Sequence, residues 1–334
     1  MASTKVKYGS TFWVIIAFTT VYLVWGSTYF FIQKSVEYIP ALLVGVFRFT
    51  TAGLLLLFWC ILRGENIWNW RQVKAAGVSG VLLLFLGNGA VIWAEKTLPS
   101  SLVAVLVSSA PLWFVLLDKS KWKENLSNKE TIIGLIVGFA GVVLLFSSQV
   151  KIALSSPGNT AQIIGLIILV LGSLSWSAGS LYSKYRSEGS SSVNTGWQML
   201  AGGLAFIPAS LITNEWSGFQ WQAVPTRALL SLCYLIVFGS LLAYSAYVWL
   251  LQVRPATQVS TYAYVNPVVA VLLGIFLANE KMNTLQIIGL AIILVSVLLI
   301  NLSKYKKNPE EKVQDPPLST EKKESYPVKE KIAG

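Results

Sequence analysis

Apolar residues run along this chain in long blocks, not in alternation. Ten blocks of about twenty residues are nearly free of charge: 12–33, 41–62, 75–94, 99–118, 131–149, 161–183, 193–213, 228–250, 256–278 and 284–302. A helix needs about twenty apolar residues to cross a hydrocarbon layer about 30 Å thick, so each block predicts a transmembrane helix. A spanning barrel would alternate apolar and polar positions, and these blocks do not. The predicted fold class is therefore an all-α membrane protein of ten transmembrane helices. The first block follows Lys5 and Lys7, as a signal peptide would, but it ends in "WGSTYFFIQKS" with no small-x-small cleavage site. It reads as a retained span. From residue 303 the material changes: "KYKKNPEEKVQDPPLSTEKKESYPVKEKIAG" is Lys, Glu and Pro with almost nothing to bury. Residues 303–334 read as a disordered cytoplasmic tail, its basic start at Lys304, Lys306 and Lys307 meeting anionic headgroups.

The blocks also repeat. "WAEKTLPSSLVAVLVSSAPLWF" and "WLLQVRPATQVSTYAYVNPVVA" place Trp93, Pro99 and Pro111 against Trp249, Pro255 and Pro267 at a constant offset of 156. Glu124 and Glu280 keep that offset, and Gly134 matches Gly289 at 155. Five spans precede the repeat boundary and five follow. An odd number sends the second copy through the bilayer upside down, which is the inverted-repeat plan of secondary transporters. The repeats are read as 12–149 and 161–302. Pro111 and Pro267 fall inside the fourth and ninth spans, where each removes a backbone donor and bends its helix. Neighbours or water must then satisfy the freed carbonyls. Pro99 and Pro255 belong in first helical turns.

Composition narrows the function. The chain has 334 residues, 54% hydrophobic and 12% charged, against about a quarter charged in soluble domains. The net charge of +11 lies in loops and tail, without interleaved exposed aromatics, so nucleic acid is not an expected partner. With the N-terminus cytoplasmic, twelve Lys and Arg fall in inner segments and five in outer loops. The positive-inside rule then puts both termini in the cytoplasm. Cys60 and Cys233 lie in apolar runs and read as small buried hydrophobes. The chain contains no histidine, so His bases, His metal ligands and His proton relays are excluded. No span holds a lysine and no Walker A sequence occurs, so neither an intramembrane Ser–Lys hydrolase nor an ATP-driven pump is supported. The expectation is no enzyme, no cofactor and no metal.

Several stretches resemble a known group. "VYLVWGSTYFFIQKSVEYIPALLVGVFRFTTAGLLLL" is similar to the first two spans of the drug/metabolite transporter superfamily, EamA-type. "SSAPLWFVLLDKSKWKENLSNKETIIGLIVGFAGVVLLF" and "VNPVVAVLLGIFLANEKMNTLQIIGLAIILVSVLLI" resemble its paired fourth–fifth and ninth–tenth spans. The resemblance covers 12–302. It implies ten helices in a basket, export or exchange of small metabolites (amino acids foremost), and a bacterial inner (plasma) membrane. One departure is the charge at "LLDKSKWKENLS", where the family is more apolar.

Polar groups inside the spans are the site candidates. Arg48 lies well inside the second span; it holds a substrate carboxylate bidentately, or snorkels, or ties a neighbouring helix's carbonyls. Asn266 sits mid-span with Tyr262 one turn earlier on the same face, and Asn88 is a second intramembrane amide. Each needs a partner, either another helix or the substrate. Trp25, Tyr29, Trp93, Trp176, Tyr247 and Trp249 complete the candidate lining, although Trp93 and Trp249 also suit interface anchoring. Ser27 and Tyr244 are further candidates. Glu95 is the proton-coupling candidate, with an interfacial Glu beside Lys96 as its alternative; Asp118 reads as a surface pair with Lys119 and Lys121. Gly134, Gly138 and Gly141 permit close helix packing or a homodimer. The expected function is secondary-active transport of small metabolites, amino acids or related compounds foremost, by alternating access with proton coupling left open. The alternatives are a sugar, nucleobase or drug exporter, or a non-transporting receptor or assembly subunit.

Overall fold

The computed structural model describes residues 11–96, 98, 100–145, 147, 160–278 and 284–306, and every regular element among them is helical. In the first repeat, α1 is Thr11–Val36, α2 Ala41–Leu62, α3 Trp70–Ala94, α4 Ser100–Val107, α5 Ala110–Leu117 and α6 Lys129–Leu145. In the second, α7 is Thr160–Arg186, α8 Ser191–Ile212, α9 Thr226–Val253, α10 Tyr262–Ala278 and α11 Thr284–Lys306. Among the described residues, each apolar block falls mostly on helix, with turns at 108–109 and 260–261. Six helices (α1, α2, α3, α7, α8 and α9) are long and apolar enough to cross a bilayer unbroken. The fourth block is divided between α4 and α5. The 17 residues of α6 and of α10 sit at the lower limit for a span.

Local chemistry sets the helix ends. Asn69 caps α3, its side-chain oxygen accepting from the Arg71 and Gln72 backbone N–H groups at 3.1 and 3.4 Å, which satisfies two of the orphan donors of the first turn. Pro40 and Pro225 stand just ahead of α2 and α9, where no backbone donor is required. Pro255 likewise immediately precedes the short helix Ala256–Val259; Pro99, Glu280 and the chain from 307 onward lie outside the described residues. α11 runs on to Lys306, so the first residues assigned to the tail continue the last helix.

Outward faces are apolar. Leu54, Phe58, Ile136, Ile167, Leu171, Phe238 and Leu298 are exposed, as expected of an integral membrane protein whose solvent is lipid. Cys60 is buried, but Cys233 is exposed. The expectation for Cys233 is corrected because an apolar run in a membrane helix has a lipid-facing side as well as a core side.

The repeats pack on each other more than on themselves. α2 lies along α8, α6 along α11, and α1 against α9 and α10; α7 makes the matching contacts with α3 and with α4 and α5. This is the pattern of a pseudo-twofold axis. Close approach depends on glycine: a Cβ at Gly53 would stand 2.5 Å from the Leu200 backbone nitrogen, and one at Gly134 2.7 Å from Ile300. The glycine face of α6 is thus occupied by α11 of the same chain.

The two prolines act differently from the simple expectation. Pro111 opens the first turn of α5, after a break at Ser108–Ser109. The sharp bend of 66° comes later, between Val103–Leu117 and Lys119–Leu126. Pro267 lies within α10 and cannot donate to the Ala263 carbonyl. Ser108 supplies that bond from the other repeat, its hydroxyl donating to Ala263 O at 2.7 Å. Ser177 of α7 serves the Ala110 carbonyl beside Pro111 at 3.3 Å. Residues 175–180 of α7, "SWSAGS", are therefore a hydrogen-bond donor set, with Ser175 also donating to Leu82 O at 2.9 Å.

Candidate functional site

One cavity, of about 70 Å³, is lined by residues of α1, α2, α3, α4, α5, α7 and α10. Trp25, Tyr29, Arg48, Asn88, Trp176, Tyr262 and Asn266 line it, seven residues drawn from both repeats. Thr28, Gly87, Gly172 and Ser173 are lining residues the sequence did not single out.

Two helical irregularities shape this site. α3 is π-helical over Val81–Asn88 and α9 over Leu235–Tyr244. Asn88 and Tyr244 end these segments and are themselves 156 apart, so the irregularity belongs to the repeat. A π turn adds a residue, rotates all that follows and frees a carbonyl from its ordinary partner. The α9 segment presents such a carbonyl: Gly239 O accepts from Trp25 Nε1 at 3.1 Å. Next to it, Ser240 Oγ accepts from Arg48 Nε at 2.9 Å. A Cβ on Gly239 would lie 3.0 Å from Arg48 Nη2, so this glycine leaves room for the guanidinium. Gly239 and Ser240 thus orient two site residues from the other repeat. The only trace in the sequence is a small residue followed by a hydroxyl within an apolar run.

Arg48 is 3% exposed, and its guanidinium carbon lies 4.7 Å from the Phe49 ring centroid. No ion pair among the described residues includes it. It does not snorkel. Its Nη1 is buried without a protein hydrogen-bond partner, as are Asn88 Oδ1 and Asn266 Oδ1. Buried polar atoms are normally paired, so three such atoms around one cavity mark it as a place for a polar solute.

Aromatic rings pack against the cavity on the side toward Arg186 and Arg254. Trp25 packs with its centroid 5.5 Å from Trp176, 4.9 Å from Tyr247 and 5.0 Å from Tyr262. The Tyr247 hydroxyl accepts from Trp176 Nε1 at 3.1 Å and bonds Ser180 at 2.6 Å. Beside it on α9, Tyr244 donates to Gln198 Oε1 at 2.8 Å, and Gln198 Nε2 donates to Ser183 at 2.8 Å. Neither tyrosine lines the cavity; Tyr247 packs behind the lining rings of Trp25, Trp176 and Tyr262. Ser27 bonds Tyr234 at 2.7 Å, away from the cavity.

Trp93 and Trp249 do not reach the cavity. Trp93 lines a separate apolar groove with Phe85, Leu171 and Phe206. It follows the lining residue Val91 by two positions, which is about 200° around a helix. Trp249 follows Tyr247 by two positions and packs on the surrounding core for the same reason. At the Val36 end, Glu95 is 8% exposed and within electrostatic reach of Tyr29. Lys96 pairs with Glu215 at 2.9 Å, not with Glu95. The same Glu215 carboxylate accepts from the Leu42 and Leu43 N–H groups at 2.8 and 3.3 Å, capping α2 where a negative charge suits the helix dipole. Asp118 is not a surface ion pair. It is 4% exposed and accepts from the Tyr185 hydroxyl at 2.9 Å and from Ser120 at 2.7 Å, while Lys121 pairs with Glu124.

Comparison with known proteins fits this arrangement. The profile of the EamA-like transporter family matches residues 11–147 and 163–302, one copy on each repeat. A curated relative, the Uncharacterized inner membrane transporter YedA of Escherichia coli K12, is 36% identical over 293 residues, 86% of this chain and 90% of that protein. Protein PecM of Dickeya dadantii is 28% identical over 83% of this chain and 88% of its own length. A solved crystal structure shares the fold at a TM-score of 0.72 and 18% identity, covering 88% of this chain and 98% of the other. With a family match over both halves and a membrane-embedded polar cavity between them, this chain is a membrane transporter and belongs to the EamA-like transporter family.

Proposed function

We propose that the protein is a secondary transporter of a small zwitterionic metabolite, an amino acid or a close relative, working by alternating access. The observation that carries this reading is the set of buried polar atoms without protein partners around the cavity: the cationic donor Arg48 Nη1 and the amide acceptors Asn88 Oδ1 and Asn266 Oδ1. A carboxylate matches a guanidinium bidentately. An ammonium, which only donates, matches the amide oxygens. The ring faces of Trp25, Trp176 and Tyr262 suit an apolar side chain or the ammonium itself. A sugar or neutral nucleobase would leave the buried guanidinium without a counter-charge, which is unfavourable. The cavity of about 70 Å³ suits a small solute, since drug-sized ligands occupy about 300–1,000 Å³. Alternating access rests on the inverted repeats and on the aromatic layer packed against one side of the cavity.

Glu95, near the lining residue Tyr29, is the candidate for proton coupling. The lysine and arginine bias puts both termini in the cytoplasm, which sets the cavity toward the opposite face, and the family resemblance favours a bacterial inner membrane. Counterflow of labelled amino acids in proteoliposomes, with and without a pH gradient, tests the proposal. Counterflow of at least one, abolished by Arg48→Ala and by Asn266→Ala, supports it. Transport of sugars or nucleobases alone would replace the substrate class. Saturable ligand binding without any flux would replace transport with a receptor role.

A further inference from the structure

We infer that the Arg48 guanidinium is also a site for a small inorganic anion, chloride in particular, which occupies the cavity whenever no organic substrate does. The argument starts from charge. Arg48 is 3% exposed and lies well inside α2. Its Nε is fixed by Ser240 at 2.9 Å, and Nη1 has no protein partner. The described residues place no carboxylate within 4.0 Å of it, and none lines the cavity. The ring of Phe49 at 4.7 Å offers a quadrupole, not a neutralising charge. A guanidinium stays protonated in proteins, so this cation cannot shed its charge as a buried lysine does. Buried charges are stable only when paired and hydrogen-bonded.

The surroundings fit a monovalent anion. The Ser240 hydroxyl accepts from Arg48 Nε and so keeps the guanidinium plane from swinging. Gly239 leaves space at Nη2. The space of about 70 Å³ holds a chloride-sized ion with some hydration and is too small for a phospholipid headgroup. An anion there and a substrate carboxylate would compete for the same donors. The consequence is that chloride weakens organic binding by occupying the site, and that the unloaded carrier is never without a counter-ion on Arg48.

This inference shares Arg48 with the proposed substrate site, but it can be tested without any transport. Purified full-length protein in detergent is titrated with chloride against gluconate at constant ionic strength. Thermal unfolding and the fluorescence of the tryptophans, among them Trp25 and Trp176, are followed. The expected result is a saturable rise in unfolding temperature with chloride alone, because a ligand that binds only the folded state stabilises it. Arg48→Gln should lose the response, with its apparent chloride affinity reduced at least tenfold, and Arg48→Lys should retain a weaker one. Equal wild-type responses to chloride and gluconate, or the absence of any, overturn the inference without reference to a variant. An undiminished response in Arg48→Gln also overturns it, since the ion would then bind elsewhere. Amino-acid counterflow in chloride-free gluconate is scored separately, so the anion site and the substrate reading can fail independently.

Discussion

The Arg48–Ser240 bond joins the two repeats at the cavity, and its removal gives a quantitative check on how the site is held. Both partners are buried, at 3% and 0% exposure, and the donor is charged. A hydrogen bond to a charged group contributes about 1.5–3 kcal/mol, while neutral interhelical bonds in lipid average only about 0.6 kcal/mol. Ser240→Ala should therefore lower the unfolding free energy by about 1.5–3 kcal/mol. The same substitution in an Arg48→Met background should cost less than about 0.6 kcal/mol, because the serine then loses no charged partner. Equilibrium unfolding in mixed micelles of the wild type, both single variants and the double variant closes the cycle. The substrate arm should move too: a guanidinium freed from Ser240 samples more orientations, so substrate affinity in Ser240→Ala falls about tenfold for each 1.4 kcal/mol lost from orientation. Additivity within about 0.5 kcal/mol would mean that Ser240 does not hold Arg48, and the account of α9 as its support would be wrong.

Other consequences are as direct. Gly53→Ala drives a Cβ to 2.5 Å from the Leu200 nitrogen, which cannot give way as a side chain would; a loss of about 1–3 kcal/mol is expected. Gly77→Ala, whose nearest neighbour is 4.0 Å away, should be neutral or more stable by up to about 1 kcal/mol. Matching thermal midpoints for the two would contradict the tight α2–α8 contact. Glu215→Ala removes both the cap of α2 and the Lys96 pair, and should destabilise by about 1–2 kcal/mol. Lys96→Met removes only a partly exposed ion pair and should cost less than about 1 kcal/mol; chemical unfolding of the pair would expose an inverted order. Tyr185→Phe takes away the hydroxyl on buried Asp118 and should cost about 1–3 kcal/mol. That loss should shrink when Asp118→Asn is already present, as a second unfolding cycle can determine.

How much of this was legible in the sequence differs by level. Arg48, Asn88 and Asn266 stood out because a polar group inside an apolar run must find a partner, and all three line the cavity. Trp93, Tyr247 and Trp249 carried the same kind of signal, yet they lie in a separate groove, behind the lining and in the surrounding core respectively. Asp118 beside two lysines looked like a surface pair, whereas its partner is Tyr185, 67 positions away. Gly239 and Ser240 gave almost no signal, although they hold Trp25 and Arg48.

The sequence by itself determined the class, the spans, the doubled five-helix plan and the family. The first three rest on hydrophobic length and on spacing, and the family on the likeness of whole stretches of sequence; all of these survive in one dimension. Only the tertiary structure decided which polar groups meet. A helix apolar on all sides carries no amphipathic phase, so its rotation about its own axis is set by its neighbours. The π segments of α3 and α9 shift that rotation again without a mark in an apolar run. The partner of Arg48 is 192 positions away in the other repeat, and that meeting is decided by how the two halves pack.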